Sequence, residues 1–422
     1  MSVINKIEAG ISSETGEIEA VIVHSPGHEV EKMTPSTAER ALYSDILNLS
    51  AASGEFSQFK GILEKFTKVF EVKDLLSVVL KNEQSKKELV QKIALTCEYR
   101  NMYNKLIELP EKILINQLIE GVLLEKDNLT NYLNKNNYSL DPLHNFFFTR
   151  DTSFVINNSV FIGKMAKKVR MRETLIMEAI FNYHPQFQIK AYNPGHPENS
   201  IHDITVEGGD IIVVNRNLLL TGFGTRTSSQ GVDYIISELS DKEELKHVIV
   251  QELPHSPESF IHLDMVLTFV DERTCIIYEP VIFNRLKYQT VLITLDNGKV
   301  RKIETFDDVI RTMKKLKIDI VTIPCGGRNS TLIQEREQWH SGANFFALAP
   351  GKVIGYERNM YTNEELNHHG FEIIQATDVL KGRKDLDKYK KYVVTIQGGE
   401  LARGGGGPRC MTLPIKRKTS QQ

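Results

Sequence analysis

Cysteine is scarce in this chain. Only Cys97, Cys275, Cys325 and Cys410 occur in 422 residues, far apart and with no CxxC pair among them, which argues against a zinc knuckle or a thioredoxin-type redox centre. An excess of one charge is also missing. The 52 basic and 54 acidic residues leave a formal net charge of −2, so no broad electrostatic surface for nucleic acid is expected. No apolar run is long enough to span a bilayer, and the opening MSVINKIEAG lacks the basic and apolar regions of a secretory signal. The apolar and charged fractions are those of an ordinary globular protein. The class left standing is a cytoplasmic enzyme of two or three domains, or one large repeat architecture.

What is present falls into two textures. EIEAVIVHS reads as a strand, broken by PGHE. Between Thr37 and Tyr138 apolar residues recur every three or four positions, as in LPEKILINQLIEGVLLEK, the spacing of amphipathic helix. Residues 74–138 are expected to form a helical insertion in a body made of 1–73 and 139–422. After Asp141 strands dominate and the pattern repeats. DTSFVINNSVFIGK, GGDIIVVNRNLLLTGF, LDMVLTFVDERTCIIYE and NFFALAPGKVIGYER each read as strand, polar turn, strand. Helical stretches such as TSSQGVDYIISELS lie between them. Units recurring in this way suggest modules around a common centre, with an ordinary α/β domain carrying several hairpins as the alternative.

In each unit a polar or acidic residue stands just before or at the head of the first strand. Residues at such equivalent ends would converge if the modules are radial. They are Asp151, Glu207, the pair His262 and Asp264, and finally Cys410. In HLD the His and Asp are two apart on an expected strand and so would share a face. Cys410 closes the stretch RGGGGPRCMTLP. Four glycines there permit unusual dihedrals or a close approach, and Arg403 and Arg409 would favour the thiolate, the nucleophilic form. Cys97 and Cys275 read as small core residues, whereas Cys325, in the loop IPCGGRNS, stays open as a second thiol of interest. A thiol, an imidazole and three carboxylates suit a guanidinium. Carboxylates accept its N–H groups, the thiolate adds to its central carbon, and the imidazole protonates the departing ammonia and then activates water. Such chemistry calls for no metal or other cofactor.

On VIVHSPGHEVEKMTP, NFFFTRD, VRMRETL, EGGD, GTRT, IHLDM, EREQWHSGAN, APGKVIGYERN and RCMTLP, the chain resembles the arginine deiminases, members of the guanidine-modifying pentein superfamily. The resemblance implies an α/β fold, a five-bladed α/β propeller of ββαβ modules with a helical insertion. It implies hydrolysis of L-arginine to L-citrulline and ammonia through a covalent Cys thiouronium, and a homo-oligomer, dimer or larger. The nucleophile falls on Cys410 and the general acid/base on His262. Glu207 pairs with the guanidinium beside that His, and Asp151 and Asp264 grip its nitrogens. Asn145 and Phe148 line the stem and carboxylate end of the substrate, while Arg170 and Arg226 hold its α-carboxylate. Many members carry an arginine five residues before the nucleophile, where this chain has Gly405. Arg409, with Arg403 as a second candidate, is expected to replace it. A hydrolase or amidinotransferase acting on another guanidine compound, and a non-catalytic propeller-shaped binding module, are the alternatives.

Overall fold

The computed structural model describes residues 6–35, 43, 45–96, 102–195, 203–242 and 244–419. Cys97 therefore lies outside the described residues. All four expected hairpins are present and antiparallel: Ser153–Ile156 with Ser159–Ile162, Ile211–Asn215 with Leu218–Phe223, Leu267–Asp271 with Thr274–Ile277, and Phe346–Ala349 with Lys352–Tyr356. Their β-branched and aromatic residues are almost wholly buried, and polar turns reverse the chain, with Asn157 at φ 50° in the first.

Each hairpin then receives a parallel partner after a crossover. Leu218–Phe223 pairs with His247–Glu252 after the helix Ser229–Leu239, and Thr274–Ile277 pairs with Val321–Pro324 after the helix Val309–Lys315. Lys352–Tyr356 pairs with Tyr392–Ile396 after the helix Met360–His368. In the unit begun by Ser153–Ile156, the helix Met171–Tyr183 leads to a single parallel bridge between Phe161 and Tyr192. The last such unit joins the two ends of the chain. Leu413–Arg417 lies antiparallel to Ile18–Val23, which pairs in parallel with Lys68–Glu71 after the helix Leu49–Phe66. A hairpin absent from the sequence reading, Thr290–Asp296 with Lys299–Phe306, extends the sheet of Ile211–Asn215 and turns at Asn297 and Gly298, both at positive φ.

The helical texture also holds. Val72–Leu80, Glu83–Thr96, Tyr103–Ile107, Glu111–Glu120 and Leu129–Leu133 are helices. Their apolar residues Leu76, Val90, Ile93, Leu114 and Leu118 bury into the same cluster as Phe154, Ile176 and Ile180. Stretches read as helices and strands thus share one apolar core. Among the described residues no helix is long and apolar enough to cross a membrane.

One expectation about local structure is corrected. His262 and Asp264 are not on a strand. His262 has extended dihedrals and caps the 3-10 turn Leu263–Met265, which precedes the strand Leu267–Asp271. The two side chains reach the same site from a turn, and the i, i+2 rule for strands does not govern them.

Candidate active site

Corresponding turns meet at one place. Asp151 belongs to the 3-10 turn Thr149–Thr152 before Ser153–Ile156, and Glu207 caps the turn Gly208–Asp210 before Ile211–Asn215. His262 and Asp264 come from the turn before Leu267–Asp271. Cys410 stands three residues ahead of Leu413–Arg417. A further residue, Asn344, stands two ahead of Phe346–Ala349. The sequence reading passed over Asn344, although its own rule, a polar residue heading each hairpin, picks it out in NFFALAPGKVIGYER.

A narrow cavity of about 20 Å³ is lined by Asn145, Phe148, Asp151, Arg170, Arg226, Ile261, His262, Gly404, Gly405, Gly406 and Cys410. That volume holds little more than one water. Eight of the expected site residues are therefore brought together around it, if Glu207 is counted through its bond to His262. Asp264 completes the group from behind the thiol, its Oδ2 lying 3.6 Å from Cys410 Sγ.

The imidazole is clamped by carboxylates. His262 Nε2 is 2.9 Å from Glu207 Oε2, and Nδ1 is 3.6 Å from Asp151 Oδ1. Burial alone would lower its pKa, but Asp151 and Glu207 outweigh burial and hold it at about 9. Glu207, in spite of its burial, is drawn down to about 2 by Arg226 and His262. It also accepts the N–H of Ala166 at 3.0 Å and a donor of Arg226 at 3.4 Å. The glycines of EGGD have a steric purpose here. A Cβ on Gly209 would stand 2.6 Å from His262 Cγ, and one on Gly208 would stand 2.1 Å from the Arg150 carbonyl oxygen.

Asn344 fixes the nucleophile. Its Oδ1 accepts the backbone N–H of Arg409 at 3.0 Å and that of Cys410 at 3.2 Å, while Nδ2 donates to the Asp264 carbonyl at 3.1 Å and to Cys410 Sγ at 3.2 Å. The expected thiolate-favouring field is not found. Burial raises the Cys410 thiol well above its ordinary value, Asp264 and Asp151 raise it further, and Arg409 opposes them only in part. Arg403 is half-exposed and pairs with Asp45 at 2.7 Å. At rest the site therefore holds a thiol beside an imidazolium.

Arg409 requires a second correction. It is fully buried and absent from the cavity lining; its guanidinium binds Glu14, Asp264 and the Ile211 carbonyl. Facing those groups, it cannot meet a substrate carboxylate in place of an arginine at Gly405. Arg170 is also heavily engaged, donating to Asp151 at 2.5 Å, to Glu173 at 2.8 Å, and to the carbonyls of Asn145 and Phe148. Arg226 has one hydrogen-bonded side-chain partner among the described residues, Glu207. Cys325 and Cys275 are both wholly buried, with burial pushing their thiols far up, so the open question over Cys325 closes in favour of an inert core residue.

Asp151, Glu207 and His262 each place one ligand atom within 4.8 Å of the others, the spacing of a metal site. Arg170 and Arg226 already pair with its two carboxylates, so a divalent cation there would compete with two resident cations. Around the thiol, two buried carboxylate oxygens, Asp151 Oδ1 and Asp264 Oδ1, have no hydrogen-bond partner among the described residues, the former having only the His262 charge at 3.6 Å.

Comparison with known proteins bears on the family and the fold. A family profile described as arginine deiminase matches residues 39–417. The arginine deiminase of Borrelia recurrentis is 32% identical over 97% of this chain and 98% of its own length. That of Oenococcus oeni is 29% identical over 97% of each. Among solved structures, the amidinotransferase SxtG of the Microseira wollei saxitoxin pathway covers 98% of both chains at 15% identity, with a TM-score of 0.57. The N-terminal domain of ArgZ, a cyanobacterial arginine dihydrolase, covers 95% of this chain and 98% of its own at 13% identity, with a TM-score of 0.53. At such identities these two speak to the fold, a mixed α/β fold of the pentein type.

Proposed function

Because the chain belongs to the arginine deiminase family, we propose that it hydrolyses L-arginine to L-citrulline and ammonia through a covalent thiouronium on Cys410. The observation that carries the site assignment is the pair of orphaned oxygens, Asp151 Oδ1 and Asp264 Oδ1. Buried carboxylate oxygens without donors are costly, and a guanidinium presents N–H groups that would satisfy both.

The charges suggest an order of events. The incoming cation offsets Asp151 and Asp264, the two carboxylates that hold the thiol protonated, so substrate binding itself lowers the barrier to thiolate formation. The Sγ–H proton passes to solvent as the substrate docks, and the resulting thiolate forms a bond to the guanidinium carbon while the C=N π pair moves onto nitrogen. Collapse of the tetrahedral adduct breaks a C–N bond, and His262, already protonated at neutral pH, gives its proton to the departing ammonia. The neutral imidazole next accepts a proton from water as its oxygen attacks the thiouronium carbon. Collapse of this second adduct breaks the C–S bond and frees citrulline and the thiol group. Arg226 is read as the partner of the substrate α-carboxylate and Arg170 as the group that orients Asp151. Asn145 and Phe148 line the stem. No resident metal or cofactor is needed by these steps.

Incubation with arginine should release ammonia and citrulline in equal amounts, and Cys410→Ala should release neither. Mass spectrometry of quenched enzyme should find an adduct of substrate minus ammonia on Cys410. Ornithine formed only when an amine is supplied would mean amidino transfer. An adduct on any other residue would overturn the assignment of the nucleophile.

Coarser features follow from the same reading. The successive ββαβ units are proposed to surround one axis as a five-bladed propeller, supported by the meeting of their leading turns at Cys410. Residues 74–138 are read as a helical insertion in the body formed by 1–73 and 139–422, supported by the run of helices there. We further read the protein as a cytoplasmic homo-oligomer, dimer or larger, on the family likeness; light scattering in solution checks the assembly.

A further inference from the structure

The N-terminal stretch ISSETGEIE takes no part in the reaction outlined above, yet it sends a carboxylate into the same buried ground as the thiol. Glu14 Oε1 accepts from Arg409 Nε at 2.7 Å, and Oε2 accepts from Nη2 at 3.2 Å. The other terminal nitrogen of Arg409, Nη1, donates to Asp264 Oδ2 at 2.8 Å, and that oxygen is 3.6 Å from Cys410 Sγ. Three side chains thus form an unbroken chain from residue 14 to the nucleophile. Besides Glu14 and Asp264, Arg409 has no third anion among its described partners; its one other side-chain bond goes to the Ile211 carbonyl.

Two further buried arginines stand beside this chain. Arg150 donates to the Arg409 carbonyl at 3.2 Å and to Thr412 Oγ1 at 3.3 Å, and Arg417 donates to the carbonyls of Gly16 and Ala347. Their described hydrogen-bond acceptors are all neutral. Burial and Arg409 pull Arg150 down to about 9, and burial pulls Arg417 down to about 10, with Glu14 opposing in both. Glu14 is therefore the carboxylate that three crowded cations share. Despite its own burial it stays below its ordinary value, chiefly through Arg409.

We propose that Glu14 is a positioning residue that holds the Arg409 fork and draws its charge away from Asp264 and Cys410. This inference rests on the reading of Asp264 as a carboxylate that grips the guanidinium. One guanidinium carries one charge, and two carboxylates divide it. Glu14 takes the bidentate edge of Arg409, and Asp264 receives a single bond. Asp264 keeps enough negative character to attract a substrate cation through Oδ1, and the thiol stays protonated until that cation arrives. Without the Glu14 charge, Arg409 would act undivided on Asp264 and Sγ. Sγ contacts Asp264 and Asn344, is acted on by Asp151, Arg409, the Gly407 backbone and Tyr356, and shares its cavity with His262, Arg170 and Arg226. Asp264 and Asp151 oppose ionisation, so a stronger Arg409 shifts the balance toward thiolate.

Glu14 also lines a cavity of about 310 Å³ open to solvent, with Ser13, Thr15, Asn215, Arg216 and Glu272 among its walls. A carboxamide keeps the size of the side chain and one acceptor for Arg409, which makes Glu14→Gln a tractable variant. The experiment is alkylation of Cys410 by iodoacetamide across pH in the full chain without substrate, mapped by mass spectrometry. Melting temperature and steady-state kinetics on arginine are measured alongside. Glu14→Gln should lower the alkylation midpoint by about one pH unit, so that alkylation below both midpoints runs about tenfold faster. It should raise KM more than it lowers kcat, and Glu14→Asp should restore most of both. A midpoint that stays put or rises overturns the proposal, because Glu14 would then only brace Arg409. If Glu14→Gln does not fold, Glu14→Asp carries the test, with a smaller shift in the same direction expected and no shift counting against it. The alkylation midpoint needs no turnover. Failure of wild-type enzyme to release ammonia would strike at the assigned reaction alone.

Discussion

At the scale of single residues, identity mattered less than what each side chain faces. His262 carries a proton at neutral pH because Asp151 and Glu207 outweigh its burial, holding it at about 9. If it protonates the leaving ammonia, kcat/KM should fall on the alkaline side as pH passes about 9. Glu207→Gln removes a charge and should move that limb to lower pH by roughly one unit; an unmoved limb would assign it to another group. Stability has its own sign. His262 sits at about 9 against an ordinary 6.5, so its share of the pairing is full below 6.5 and is lost as pH rises through 9. Glu207 sits at about 2 against 4.5, so its share is full above 4.5 and is lost as pH falls through 2. The melting-temperature gap between wild type and Glu207→Gln should therefore be widest between pH 4.5 and 6.5, where breaking a buried pair costs about 3–5 kcal/mol. Arg226 and Arg170, alike in sequence logic, should part in kinetics. Arg226→Ala should cost arginine about 1.5–3 kcal/mol more in kcat/KM than agmatine, which lacks the carboxylate, while the lost pairing with Glu207 weighs on both substrates. Arg170→Ala should damage both substrates, because it leaves Asp151 unpaired. Equal losses in the Arg226 variant would assign that arginine to structure.

At the scale of elements, the glycine run before Cys410 serves close packing more than a general freedom of the backbone. A Cβ on Gly406 would lie 2.5 Å from Phe148 Cε1 and 3.0 Å from Cys410 Cβ. Gly406→Ala should displace the thiol and lower kcat at least about tenfold, a loss of about 1.4 kcal/mol in transition-state stabilisation. Gly405 faces open space at φ +84°. Alanine there should cost about 1–2 kcal/mol of local strain and leave kcat within a few-fold. Measuring kcat and melting temperature for both separates packing from strain, and a Gly406→Ala enzyme of full activity would contradict the packing account. Proline at 405 is incompatible with that φ and with the bond from the Gly405 N–H to the Ala402 carbonyl, so it would disrupt the turn. The cavity beneath is too small for arginine, so Gly404–Gly406, Phe148 or both must shift for entry.

At the scale of the whole molecule, the first and last strands pair, and that closure brings residue 14 to residue 409. The Glu14–Arg409 bond spans 395 positions. Cys410 is presented to the site because Leu413–Arg417 is bound antiparallel to Ile18–Val23. The helical region is tied to the body through the shared core around Ile176 and Ile180, whereas Phe148, Met265 and Cys410 pack in a second apolar cluster.

Legibility followed the range of the forces. Alternating apolar residues around polar turns made the four hairpins readable, because strand period and turn chemistry act over a few positions. The same local signals marked Asp151, Glu207, His262, Asp264 and Cys410 as turn or strand-end residues, and applied evenly they would have marked Asn344. The sequence alone therefore determined which reactive groups the chain owns and in what order they appear. Only the tertiary structure decided that Arg409 turns to Glu14 and Asp264 instead of toward the cavity. It also decided that the thiol rests protonated and that HLD is a turn. Each of these depends on burial and on charges a few ångströms away in space, and electrostatic energy in a desolvated interior follows that distance and not separation along the chain.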